Sequence, residues 1–222
     1  MIKAAIIGCG NVAWKWDNPK SIYVNTHAKA YYKNRKVLLA ACCDYNFANA
    51  HGLAKVYPGV TPYRDYKAML AKEKLDIVSV CTPPPTHYKI LEYLLAKTDV
   101  KYILAEKPLA SGVRQVQRLT CLAKKRKVCI VVNYLRRWDK TITTLKHMLS
   151  TVGPGAFQFG SCVYYGGIKH NGIHLIDFLL FLGFRPTFKA FLSKPRRYDG
   201  DFAASFLLED RRAGPFYFHW IH

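Results

Sequence analysis

Three groups of residues have the types and spacing to do chemistry. The first is Gly8-Cys9-Gly10-Asn11-Val12-Ala13, which directly follows an apolar run and has the form G-x-G-x-x-A. In a dinucleotide site, Gly8 makes the tight turn, Gly10 lets the backbone approach the pyrophosphate, and Ala13 keeps the following helix close to the sheet. Phosphates then rest on backbone N–H groups at the helix's positive end. The second group is His174 with Asp177, three residues apart on a helical pattern and so on one face. A carboxylate there can fix the imidazole tautomer, and the pair can move a proton near neutral pH. The third is Lys107, just past an apolar run, a cation whose pKa would fall on burial beside a charged cofactor. Oxidising a secondary alcohol needs a hydride acceptor, a base and a cation for developing alkoxide character. These groups match that set.

Asp44 closes the second apolar run. Its carboxylate is placed to accept from ribose hydroxyls and to repel a 2′-phosphate, which favours NAD, with NADP as the alternative. It lies beyond the usual spacing of ~20 residues because Trp14–Asn25, containing Asn18-Pro19, reads as an insertion. The competing reading of Asp44 is a turn or helix cap.

The elements that must position these residues follow from pattern. Ile2–Ile7, Val37–Cys43, Leu75–Cys81, Lys101–Ala105 and Val128–Val132 are short runs rich in Val, Ile and Leu. Their lack of alternation predicts parallel strands covered on both faces. Between them lie helical patterns at Ala28–Tyr32 capped by Thr26, Asp65–Lys72, Tyr88–Ala96 capped by Thr86, and Val113–Lys125 started by Ser111. The expected architecture is an α/β, doubly wound parallel Rossmann sheet over residues 1–134. After that, Asp139–Leu149 and Gly172–Leu182 read as helices. Ala156–Tyr165, Thr187–Ser193, Phe202–Leu208 and Phe216–Ile221 read as strands, with turns at Asp199-Gly200-Asp201 and Asp210–Gly214. This predicts a smaller α+β domain over 135–222 with a largely antiparallel sheet. The apolar strand pattern reaching His222 suggests an exposed edge, and with it either a homo-oligomer through that sheet or a shortened chain.

Composition narrows the function class. Of 222 residues, 50% are hydrophobic and 22% charged, which excludes disordered, collagen-like and coiled-coil chains. No apolar run reaches the roughly 20 residues a membrane span needs, and the first residues are too briefly apolar for a signal peptide. Seven cysteines, an odd count, with no C-x-x-C spacing, argue for core thiols in a reducing cytoplasm and against structural zinc or any metal site. The formal net charge of +20 comes from 34 basic against 14 acidic residues. It favours anionic partners.

Further segments carry a family resemblance. Cys81-Thr82-Pro83-Pro84-Pro85-Thr86-His87, Ala105-Glu106-Lys107-Pro108-Leu109 and Asn171-Gly172-Ile173-His174-Leu175-Ile176-Asp177 follow the glycine turn in order. The set closely resembles the Gfo/Idh/MocA family of NAD(P)-dependent oxidoreductases, with its E-K-P and G-x-H-x-x-D motifs, from residue 1 to about 183. The resemblance implies that Thr82, Pro83 and His87 line the nicotinamide half of the cofactor. It implies that Glu106 and Lys107 form the E-K-P pair, the lysine touching cofactor and substrate. His174 matches the acid/base histidine and Asp177 the carboxylate beside it, while Asn133 and Arg136 match a segment bordering the substrate pocket. The chain departs from the pattern at Val132, at His170 in place of an aspartate, and in the shorter stretch after residue 183. His170 and Asn171 are placed for sugar-hydroxyl contacts, and Tyr165, with Tyr164, either lines the pocket or packs in a strand. The implied substrate is a sugar, and the positive charge favours a phosphorylated or nucleotide-linked one.

Two rivals stand beside this reading. A catalytically inactive dinucleotide-sensing regulator would share the glycine turn, but the presence of Lys107 and His174 counts against it. A nucleic-acid binder is disfavoured, because the aromatics lie in apolar patterns rather than among basic loops and no recognition motif is visible.

Overall fold

The computed structural model describes residues 1–17, 20–199 and 201–221, and the chain divides into two units, Met1–Asn133 and Tyr134–His222. The first is built on six strands: β1 (Ile2–Ile7), β2 (Val37–Cys43), β3 (Thr61–Tyr63), β4 (Ile77–Val80), β5 (Tyr102–Ala105) and β6 (Cys129–Val132). All pair in parallel, in the order β3-β2-β1-β4-β5-β6. Among the described residues, the α-helices between them are α1 (His27–Lys33), α2 (Phe47–Val56), α3 (Tyr66–Lys72), α4 (Pro84–Lys97) and α5 (Val113–Arg126).

The alternation of a strand explains why both faces are covered. On β1, Ala5 and Ile7 pack into a core with Met69 of α3, Leu91 and Leu95 of α4, and Leu119 of α5. Ala4 and Ile6 point the other way, into a core with Ala28 and Tyr31 of α1 and Leu53 of α2. Both sets are buried, so the strand reads as one continuous apolar run.

Several local expectations need correction. Thr26 is the N-cap residue of α1 but makes no capping bond, because its hydroxyl donates to Asp17 at 2.7 Å. Helix α4 starts at Pro84, with Pro83 as N-cap. Thr86 therefore lies in its first turn, donating to the Pro83 carbonyl. Gly112, not Ser111, is the N-cap of α5. The second strand-helix unit also contains two elements with weak sequence signals. Helix α2 carries Gly52 mid-helix, where an added Cβ would meet the Trp14 ring at 3.0 Å. Strand β3 is three residues with Pro62 at its centre, tolerated because it is the sheet's edge. Of the proposed insertion, Asn18-Pro19 lie outside the described residues. Asp17 accepts from Thr26 and Asn25 and pairs with the buried Lys29, tying the segment to α1.

The second unit holds α6 (Lys140–Val152), β7 (Gly160–Tyr165), α7 (Ile173–Phe181), β8 (Thr187–Phe191), β9 (Arg196–Tyr198), β10 (Asp201–Ala203), β11 (Phe206–Asp210) and β12 (Gly214–Ile221). Its main sheet runs β7-β12-β11-β8, and β9 and β10 form a separate ribbon. The run read as one strand over Phe202–Leu208 is split between β10 and β11. β12 pairs in parallel with β7 and antiparallel with β11. It is thus a central strand, and the expected edge is corrected: β7 and β8 are the edges. Gly200 in the expected turn and His222 at the strand's end lie outside the described residues. One sheet face packs Phe206, Leu208, Phe216 and Phe218 against Leu149 of α6 and Leu179 of α7. Among the described residues, no helix is long and apolar enough to cross a membrane.

The cysteines divide by position. Cys9, Cys42, Cys43 and Cys81 are buried, but Cys121 and Cys129 are exposed. An apolar neighbourhood in sequence therefore does not make Cys129 a core thiol.

Candidate functional site

The glycine turn sits where β1 ends and the strand order reverses between β1 and β4, the place where open parallel sheets bind ligands. Gly8 has φ +92°, and a Cβ on it would lie 2.7 Å from the backbone of Cys81 and Thr82. This residue lets β1 turn directly against the end of β4. Gly10 differs: an added Cβ would meet nothing within 4 Å, so its backbone faces open space. Ala13 is fully buried, as close packing requires. The following helix is shorter than the motif suggests. Asn11–Lys15 forms one π-helical turn and the α-helix begins only at His27, so the loop amides rather than a long helix dipole face this end of the sheet.

A cavity of about 1050 Å³ opens here, lined by Gly8, Gly10, Asp44, Tyr45, Thr82 and Pro83, with Asn49, Arg64 and Lys89 among its polar residues. Asn11, Val12, His87, Glu106 and Lys107 are not among its lining. The Asp44 carboxylate accepts from the Cys9 N–H at 2.7 Å with one oxygen and from the Asn46 N–H at 2.9 Å with the other. The turn reading of Asp44 is thus observed, and the residue also stands at the glycine loop on the cavity wall. The Trp14 indole N–H donates to the Cys9 carbonyl at 2.9 Å, bracing the same loop. A wide cavity, one glycine that admits no side chain and one whose backbone is open together fit a dinucleotide.

His87 needs correction. It is fully buried, with Nε2 2.7 Å from the Thr82 carbonyl and Nδ1 2.8 Å from the Pro108 carbonyl. It fastens the loop after β4 to the loop after β5 and supports the lining without belonging to it.

The end of β5 carries Glu106 and Lys107. The Glu106 Oε1 accepts from Asn133 Nδ2 at 2.7 Å and lies 3.0 Å from His27 Nε2. Burial pushes the carboxyl pKa up, but hydrogen bonds from His27 and Asn133 outweigh it and hold the group below its ordinary value. Asn133 is thus engaged with Glu106. Lys107 is half-buried, and its ammonium pKa is lowered by burial against an opposing pull from Glu106. Sequence reasoning missed His27. The available signal was its i, i+4 spacing with Tyr31 on one helix face, since both reach Ser79.

In the second unit, a π-helical turn over Ile168–Gly172 runs into α7, which carries His174 and Asp177. The Tyr134 ring meets the His174 ring edge-on at 5.9 Å. Burial, with Asp177 adding to it, pushes the Tyr134 hydroxyl up to about 12. Asp177 is buried, and both its oxygens accept from Arg137, at 2.9 Å from Nε and 2.5 Å from Nη2. Asp177, read from sequence as the carboxylate beside His174, anchors Arg137, a residue the motif reading passed over for Arg136. His170 donates its backbone N–H to Asp201 at 3.0 Å, and Asn171 its side-chain amide to the Tyr165 carbonyl at 3.0 Å. Tyr164 is buried in strand packing, while Tyr165 is exposed.

Strand order, glycine turn and cavity define the first unit as a dinucleotide-binding Rossmann domain. Residues 2–134 match the model of the Gfo/Idh/MocA oxidoreductase family, described as having an NAD-binding Rossmann fold, and the chain belongs to that family. D-glucoside 3-dehydrogenase of Escherichia coli is 28% identical over 203 residues, covering 82% of this chain and 54% of that protein. Inositol 2-dehydrogenase of Rhodococcus erythropolis is 32% identical over 133 residues, covering 58% of this chain and 37% of that protein. The chain thus spans about half, or less, of the length of these relatives. Among solved structures, a 3-ketoreductase of Actinomadura kijaniata crystallised with NADP superposes with a TM-score of 0.81 at 22% identity, covering 100% of this chain and 69% of that one. A dehydrogenase of Chromobacterium violaceum gives 0.78 at 17%, covering 99% and 65%.

Proposed function

We propose that the chain is a cytoplasmic NAD(P)-dependent oxidoreductase that acts on a ring hydroxyl or keto group of a sugar. The observation that carries this is the glycine turn opening on the cavity at the β1/β4 reversal. Gly8, Gly10, Asp44, Thr82 and Pro83 would hold the dinucleotide, and the nicotinamide would supply hydride chemistry. Lys107 is the cation for oxygen bearing developing negative charge, its partly buried ammonium readied to hold or give a proton. His174 is the acid/base group on α7, and Arg136, Tyr165, His170 and Asn171 are candidates for substrate contact. Asp177 acts in this scheme by holding Arg137.

The substrate class rests on relatives named for glucoside and inositol dehydrogenation. A phosphorylated or nucleotide-linked sugar is favoured by the net charge of +20, which steers anions towards the protein. Association through the second sheet is supported by its open face, where Val163, Tyr165 and Ile221 are more than half exposed.

Titration with NADH and NADPH, followed by tryptophan fluorescence, tests cofactor binding; a sugar panel run beside Lys107→Met/His174→Ala tests chemistry. Binding of neither cofactor, or turnover that survives the double substitution, refutes the proposal.

A further inference from the structure

A buried chain of polar groups runs through the first unit from α1 by way of β4 to the end of β5. The Tyr31 hydroxyl lies 2.7 Å from Ser79 Oγ, and Ser79 Oγ lies 2.9 Å from His27 Nδ1. His27 Nε2 lies 3.0 Å from Glu106 Oε1, which also accepts from Asn133. Ser79 is fully buried, and His27 and Tyr31 nearly so. One set of proton positions satisfies every member: Tyr31 donates to Ser79, Ser79 to Nδ1, and the Nε2–H to Glu106. The Glu106 carboxylate, which only accepts, requires the proton on Nε2, and in the neutral imidazole Nδ1 then accepts from Ser79.

We propose that His27 is a positioning residue that, with Asn133, fixes the Glu106 carboxylate at the end of β5 and thereby the surroundings of Lys107. The role rests on the reading of Lys107 given above. Glu106 meets His27 from α1, Cys81 from the end of β4, Asn133 from the end of β6, and Lys107 on its own strand end. His27 and Asn133 each meet it with a side-chain nitrogen. Losing one lets the carboxylate take a proton more readily.

The chain has four glutamates, so ¹³Cδ-glutamate NMR can follow Glu106 by itself, assigned with Glu106→Gln. In His27→Leu, with folding checked by circular dichroism, the Glu106 midpoint should rise by about one pH unit, a tenfold change. His27→Gln, which keeps an amide donor, should recover most of that shift. kcat should fall about tenfold with KM for NADH unchanged, and His27→Leu should add nothing to Glu106→Gln. Should His27→Leu fail to fold, Asn133→Ala carries the same titration. An unmoved Glu106 midpoint, or an unmoved kcat, overturns the proposal. If the unaltered protein turns over no sugar, the enzymatic reading has failed, and the titration alone decides whether His27 holds the carboxylate.

Discussion

Gly8 and Gly10 occupy one motif, yet the structure assigns them different work, and alanine substitution should separate the two. At Gly8 an alanine must adopt φ +92° with its Cβ 2.7 Å from the backbone of Cys81 and Thr82. The left-handed conformation costs about 1–3 kcal/mol, and the backbone contact adds overpacking of comparable size. With partial relaxation the sum is about 2–4 kcal/mol, or about 6–12 °C in Tm for a chain of this length. At Gly10 the Cβ enters open space at φ −86°, so stability should stay within about 0.5 kcal/mol. That Cβ instead stands on the cavity wall where the backbone must approach phosphate, and NADH affinity should fall at least about tenfold, or about 1.4 kcal/mol. Urea melts and fluorescence titration on both variants provide the assay. A Gly10→Ala protein that binds NADH normally, or a Gly8→Ala protein of unchanged stability, would show that the loop was misassigned.

Other expectations follow from the same geometry. Lys107→Met should keep cofactor affinity while lowering kcat by about 10³-fold, read by stopped-flow at saturating sugar; retained turnover removes Lys107 from the chemistry. Because the folded pKa of Glu106 lies below its ordinary 4.5, its contribution to stability is complete above that value. It is lost as pH falls below 4.5 and through the folded pKa, so Glu106→Gln should show a shallower fall in urea midpoint between about pH 5 and 3. Arg137→Leu strands the buried Asp177 and should cost about 2 kcal/mol, discounted because the arginine side chain is 42% exposed. Arg137→Leu/Asp177→Leu should be less destabilised than Arg137→Leu alone, and simple additivity in the cycle would contradict the pairing.

The alternate-face burial of β1 shows why the first unit was legible in sequence. A strand covered on both sides must be apolar throughout, so its composition reveals its place. Gly8 and Ala13 were readable for a similar reason, since tight turns and close helix packing admit few residue types. The short π-turn after the motif, the glycine-bearing α2 and the three-residue β3 left weak signals because their stability comes from neighbours, as the Trp14 ring against Gly52 shows. In the second unit, β12 read as a strand but its place did not, because pairing partners are set by chain path and not by pattern.

The sequence by itself determined the doubly wound fold, the position of the dinucleotide loop and the strand-end pair Glu106-Lys107, because each depends on residue type and local spacing. Tertiary structure decided what those residues touch. It turned His87 from a lining residue into a fastening between two loops, brought Arg137 to Asp177, and brought His27 to Glu106 across 79 positions of chain. Hydrogen-bond partners distant in sequence are chosen by packing, and no local pattern encodes them.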